Sequence, residues 1–250
     1  MRYNALKNVL RFDRESVADP LAIRWINPMN LSRLPKYGPF DRVARLGHVA
    51  GGEWDQSERR LEETDLYRGL CQRFEEGRAW EDTAYVRGSI EAFESGEEYY
   101  GCDSVEELLE IRCTYLDRLF DRIKEDGYKP QSELDVTSVD TNRFTPTRSR
   151  LLTHEVGVNI GRDGTLLLNS GYHRATMARI LSLNRIPAQV IVRHTEWQRM
   201  RQEVGRSADV DTLSEPARNY RSHPDMVDLI DEQHTEMSCP STPTDSSVSG

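Results

Sequence analysis

A chain of 250 residues can bury a core without a disulfide or metal staple, and 37% hydrophobic with 30% charged residues is the balance of a soluble globular protein. No run approaches the roughly 20 apolar residues of a membrane span, and the opening MRYNALKNVLRFDRES lacks the continuous apolar region of a secretory signal, so a cytoplasmic location is expected. The net charge of -9, from 33 basic and 42 acidic residues, weighs against a general DNA-binding surface, less so in high salt where counterion release drives less binding.

Only Lys7, Lys36, Lys124 and Lys129 are lysines; the other basic residues are arginine. An acidic, lysine-poor surface stays hydrated in concentrated salt, where screening removes the cost of carboxylate repulsion. A halophilic, archaeal origin is the expectation. Cys71, Cys102, Cys113 and Cys239 form no C-x-x-C pair, which argues against a zinc knuckle or a redox dithiol.

In chain order, residues 1–19 are expected as a helical arm. Residues 20–200 are expected as the main domain. Leu21, Ile23 and Trp25 alternate with Ala22, Arg24 and Ile26 before Asn27-Pro28, which predicts a short strand and a turn. KYGPFDRVARLGHVAGGEWDQ has no clear period and is expected as loop. From 57 to 128 the pattern is helical. Leu66, Leu70 and Phe74 stand four apart before Gly77, and a second, weaker helix ends at Gly96. Ser104 and Glu107 form a capping box ahead of the stripe Leu108, Ile111, Tyr115, Leu119 and Ile123, which ends at Gly127. This block reads as a packing module, with a lid or partner surface as the alternative.

A polar connector follows, from Pro130 to Arg150. EVGVNIGRDGTLLLNS then predicts a hairpin turning at Asp163-Gly164. GYHRATMARILSLN predicts a helix with Ala175 and Ala178 inward, and IPAQVIVRH a strand over Ala188 to Val192. Residues 201–235 are expected as a helical extension whose Met226, Leu229 and Ile230 dock onto the body. The Ser/Thr/Pro-rich tail, 236–250, is expected to be disordered.

The turn NSGYHR is where chemistry concentrates. A helix start points free N–H groups and positive dipole at what precedes it, and a glycine there lets an anion approach the backbone. His173 and Arg174 add a switchable and a permanent charged donor, and Asn169 and Ser170 are placed to orient a bound phosphate. A cation in the first turn opposes the dipole unless something negative binds there. A capping histidine beside a solvated arginine is the other reading, and the residues alone leave both open.

DGTLLLNSGYHRATMARILSLNRIPAQVIV, together with the strand before Asn27-Pro28, resembles the ParB/sulfiredoxin-like superfamily; the best-matched stretch is 155–193. The stretches GGEWD, IGRDG and RHTEW are similar to those of a group of haloarchaeal proteins. The resemblance implies an α/β fold with a small mixed sheet, the helical block 57–128 as an insertion, and a turn that binds nucleotide phosphates. Sulfiredoxins carry a nucleophilic cysteine where this chain has Tyr172, so their chemistry is not expected. ParB proteins carry Gly-Glu-Arg-Arg. His173 and Arg174 fit its cationic positions and Ala178 matches an alanine beyond it, but Tyr172 replaces the glutamate and no helix-turn-helix follows. The archaeal free-serine kinases carry Asp-Gly-His-His-Arg. Gly171, His173 and Arg174 match it, while Ser170 replaces the aspartate, which puts proton handling or metal binding in doubt.

The expected function is nucleotide-phosphate binding (ATP, ADP or CTP with Mg²⁺) at Asn169, Ser170, Gly171, Tyr172, His173 and Arg174, coupled to phosphoryl transfer onto a small-molecule acceptor. His173 and Arg174 are the candidate catalytic pair, with Asp55 of GGEWDQ or Glu155 as base or metal ligand. Arg193, His194 and Trp197 are expected to border the same pocket, His194 as a structural cap, and Tyr172 or Trp54 to stack on a base. Two other functions are open. One is a ParB-type nucleotide-responsive DNA-binding or regulatory module with a basic face from Arg143, Arg148 and Arg150. The other is a binding domain whose pocket is vestigial, given Ser170. No residue cluster with metal-ligand spacing suggests a nuclease centre.

Overall fold

A computed structural model describes residues 18–133, 155–207 and 210–230. The expected N-terminal arm up to residue 17, the connector arginines Arg143, Arg148 and Arg150, and the tail 236–250 lie outside the described residues.

The architecture is mixed α/β, built on one small mixed sheet. Strand β1 is Ile23–Ile26, β2 His48–Ala50, β3 Val156–Ile160, β4 Leu166–Ser170 and β5 Ile186–His194. β5 is the organising strand. β1 pairs antiparallel with its first half and β2 parallel with its last three residues, while β3 pairs parallel along residues 188 to 193. A strand has two edges, so β1 and β2 share one and β3 takes the other; β4 follows as the antiparallel partner of β3. Flanked on both edges and covered on both faces, β5 is buried at all nine positions, as its near-continuous apolar sequence requires.

Helix α1 spans Arg42–Arg45, α2 Asp65–Phe74, α3 Ala84–Glu94, α4 Val105–Glu107 and α5 Thr114–Asp126, with a π-helical turn at Leu108–Cys113 joining the last two. Helix α6 is Tyr172–Ile180, α7 Thr195–Arg206 and α8 Glu215–Asn219. The helical block lies in sequence between β2 and β3 and has its own apolar cluster, which includes Leu70, Trp80, Tyr85, Leu108, Leu116 and Phe120. α6 belongs to two cores. Ala175 and Ala178 pack with the sheet residues Val156, Val158 and Val190, while Met177 faces the helical block. Among the described residues, no helix is long and apolar enough to cross a membrane.

Three local expectations are corrected. The stretch expected as loop holds α1 and β2; a three-residue strand has no readable period, and it forms because β5 offers its open edge. The phase of β1 is reversed, with Arg24 and Ile26 buried and Trp25 exposed at 43%. Arg24 turns inward because Asp225 and Asp228 meet it there. The expected single helix after Ser104 is interrupted by the π-helical turn.

The hairpin turns at Gly164, whose φ of 77° is in the left-handed region that glycine adopts without strain. At the C-terminal end, Met226 and Leu229 dock in the main core as expected. They bring Asp225, which is 1% exposed, among Arg24, Arg193 and Arg201.

Candidate functional site

The start of α6 is built by close approach to β3. Gly171, at φ 82°, is the residue before the helix, and a Cβ there would stand 3.1 Å from the Cα of Val156. Gly171, as the residue before the helix, has no side chain to cap its start.

Asn169 does not face a ligand. Its Oδ1 accepts from the Phe40 N–H at 2.7 Å and from Asn159 Nδ2 at 3.0 Å, and its Nδ2 donates to the Phe40 carbonyl at 3.0 Å. Holding Phe40 fixes the start of α1, where the Asp41 side chain accepts from the Ala44 N–H at 2.7 Å. That anchoring delivers Arg42, a residue the sequence reading did not single out. Its Nη2 donates to the Glu155 carbonyl, and it lies beside Gly157 together with the Ser170 hydroxyl. A Cβ on Gly157 would meet both, Arg42 Nη2 at 2.7 Å, so the guanidinium needs a glycine at this bulged point of β3. The Ser170 hydroxyl is buried without a hydrogen-bond partner.

Arg174, in the first turn of α6, lies 4.0 Å from the Glu155 carboxylate. Glu155 is 2% exposed; its Oε1 accepts from the Gln131 N–H, and its Oε2 has no hydrogen-bond partner. Burial pushes Glu155 above the usual carboxylate range, against the pull of Gln131, Arg174 and Arg42. Burial, and next the charge of Arg174, bring Arg42 down to about 10. Burial likewise pushes the Tyr128 hydroxyl up to about 12, with Arg174 opposing the shift. Arg42 and Arg174 thus stand beside the buried Glu155 carboxylate, which Glu133 also faces.

This corner adjoins a cavity of about 250 Å³, just below the usual range of ligand pockets of about 300–1,000 Å³. Leu119, Ile123 and Tyr128 give it an apolar lining, and Arg122, Gln131 and Arg174 supply donors. Its cations Arg122, Lys129 and Arg174 stand against the carboxylates of Asp126 and Glu133.

His173 points elsewhere. Its Nε2 lies 3.1 Å from the Tyr85 hydroxyl, its Nδ1 3.4 Å from Arg112 Nη2, and the Tyr100 ring is 4.9 Å away. Burial, helped by the charges of Arg112 and Arg174, drives its pKa well below 6.5. A neutral imidazole locked against the helical block supplies no charge to the turn, which corrects its expected role as a phosphate donor.

Asp55 is corrected as well. Its carboxylate accepts from the Arg162 N–H at 2.8 Å and from Arg162 Nε and Nη2, each at 2.9 Å. Burial alone would raise its pKa, but these bonds hold it below the usual range. Asp55 packs on Gly161 beyond the C-terminal end of β3, whereas Gly171 packs on Val156 at the N-terminal end. Five residues of strand put the two roughly 16 Å apart. GGEWDQ therefore clamps the hairpin, with Trp54 buried against Phe40 and His194.

His194 caps α7 as expected, accepting from the Glu196 N–H at 3.2 Å. Arg193 and Trp197 do not border the turn; both donate to Asp225, at 2.6 Å and 3.0 Å. Tyr172 is half-buried and packs against both apolar clusters. The structure therefore brings Gly171, Ser170, Arg174 and Glu155 together and adds Arg42, Gly157 and Tyr128. Of these additions, Gly157 had a readable signal, since a lone glycine inside a strand marks a bulge or a close approach. No protein-family model, no curated protein and no solved structure matches the chain.

Proposed function

We propose that this chain binds the phosphate of a nucleotide (ATP, ADP or CTP) at the start of α6. Arg42 and Arg174 are the cationic ligands, and the Ser170 hydroxyl and the first-turn N–H groups the neutral donors. The observation that carries the reading is the placement of both part-buried arginines beside the buried Glu155 carboxylate, at a helix start led by Gly171 and next to a cavity. The apolar part of that cavity, Leu119, Ile123 and Tyr128, suits the base or sugar. The reading treats residues 155–193 as a ParB/sulfiredoxin-like core in which Arg42 takes over the cationic task that the motif would give to His173.

Phosphoryl transfer to a small-molecule acceptor would need a base and a Mg²⁺ site. Among the described residues Glu155 is the one candidate carboxylate at the turn, and two arginines accompany it. Among the described residues no group of three His, Cys, Asp or Glu side chains could hold a metal ion. These residues suit a phosphate and do not suit a divalent cation.

Calorimetric titration of ATP, ADP and CTP in molar KCl, on wild type and Arg174→Ala, tests the reading. Binding by wild type that weakens about tenfold or more in the variant is expected, since a charge-assisted hydrogen bond contributes about 1.5–3 kcal/mol. Failure of wild type to bind any of the three would contradict it.

A further inference from the structure

Resting on the phosphate reading above, the geometry points to Glu155 as the residue that sets which anion enters. We propose that it selects a phosphate carrying a P–OH group, meaning inorganic phosphate or a terminal phosphomonoester in its singly protonated form, over sulfate and phosphodiesters.

A buried carboxylate beside an anion site is at first sight a defect, because it repels the ligand. Glu155 is 2% exposed, and its two oxygens differ. Oε1 is satisfied by the Gln131 N–H, while Oε2 is buried with no donor. A buried acceptor without a donor is costly unless a ligand or water completes it. Oε2 stands 4.0 Å from Arg174 Nη1, and Arg174 and Gln131 both line the cavity.

An oxygen about 2.9 Å from a guanidinium nitrogen and about 2.6 Å from a carboxylate oxygen closes a triangle whose third side can be 4.0 Å. Both atoms are closed off in the unliganded protein, so a ligand reaches them as Arg174, which lines the cavity, shifts; the atom placed between them must accept from Arg174 and donate to Glu155. A P–OH oxygen does both. Sulfate and a phosphodiester monoanion carry no proton at neutral pH, so each would set a bare oxygen against Oε2.

The groups facing Glu155 support this assignment. Arg174 comes from α6, Arg42 from α1, and Tyr128, Gln131 and Glu133 from the segment after α5. Burial raises the carboxyl group's proton affinity, which lets it share a proton with the incoming phosphate. Arg42 binds the Glu155 carbonyl, so the carboxylate's environment and the second cation are set by one residue.

The test is calorimetric titration at pH 7.5 with inorganic phosphate, sulfate and dimethyl phosphate, on wild type and the isosteric Glu155→Gln. Wild type is expected to prefer phosphate by about tenfold or more over each of the other two, the cost of a bare acceptor facing Oε2. In Glu155→Gln, whose amide donates a hydrogen bond where Oε2 accepted, the preference over sulfate is expected to fall to within about threefold. Equal binding of phosphate and sulfate by wild type would overturn the proposal and leave the phosphate site standing, as would a variant that keeps the full preference. If wild type binds none of the three anions, this proposal falls, while the nucleotide reading is decided by the ATP, ADP and CTP titration. The wild-type comparison stands by itself should the variant fold poorly.

Discussion

The side-chain amide of Asn169 grips the main chain of Phe40 at both its N–H, 2.7 Å away, and its carbonyl, 3.0 Å away. A residue expected to touch phosphate instead places the segment that carries Arg42. Asn169→Leu keeps the volume and removes both bonds, leaving the part-buried main-chain groups of Phe40 and the buried Asn159 amide unsatisfied. A loss of about 2–4 kcal/mol in urea unfolding is expected, with weaker nucleotide binding. A variant with wild-type stability and affinity would show that the grip does not position Arg42.

Gly157→Ala probes the same corner from the strand. The added methyl stands 2.7 Å from Arg42 Nη2 and presses on the Ser170 hydroxyl, so Arg42 must move. Overpacking of this kind costs about 1–3 kcal/mol, and nucleotide affinity should fall by more than the small change in volume suggests. Unchanged affinity, measured on folded protein, would argue that Arg42 is not a ligand.

His173 predicts acid sensitivity. Its folded-state pKa lies well below the 6.5 of an exposed imidazole, so as pH falls below about 6.5 the unfolded chain takes up the proton first. Stability therefore declines from that point downward until the folded pKa is reached, by up to about 1.4 kcal/mol per pH unit. His173→Phe lacks this term. Burial also lowers the pKa of His223, which acts in both proteins, so the difference between them is what counts. Urea midpoints at pH 7.5 and 5.5 should drop more for wild type than for the variant, and equal drops would refute the assignment.

Asp225 holds the C-terminal segment electrostatically. Burial alone would raise its pKa, but Arg193, Arg201 and Arg24 drive it far below the usual carboxylate range. Its contribution is thus present at neutral pH and lost only in strong acid. Asp225→Asn leaves three buried guanidiniums with one fewer counter-charge and should cost about 3–5 kcal/mol. Because the group is buried, molar KCl should not erase the loss. A cost that vanishes in salt would place the network at the surface.

The hairpin and α6 were legible in the sequence because Asp163-Gly164 separates apolar runs and because the helix start is marked by Gly171. Strand β2 was not, since it consists of His48, Val49 and Ala50 and exists through pairing with β5. Arg42 was equally hidden, as its place depends on a contact between Phe40 and Asn169, 129 residues apart. His173 looked like a ligand because helical spacing gives its position next to Arg174 but not the tyrosines of the helical block that enclose it. Arg193 was expected at the phosphate pocket and is instead paired, with Arg24, to Asp225 inside the protein. In each case the sequence carries local propensity, and the missing part is a tertiary partner.

In the proposed anion site Arg42 and Arg174, and not Asp55, hold the ligand. The most direct measurement is the affinity for whichever nucleotide wild type binds, compared across Arg42→Ala, Arg174→Ala and Asp55→Asn. About a tenfold or greater loss is expected for each arginine variant, with a change within about twofold for folded Asp55→Asn. Wild-type affinity in Arg42→Ala, or loss of binding in Asp55→Asn with the fold intact, would contradict that assignment.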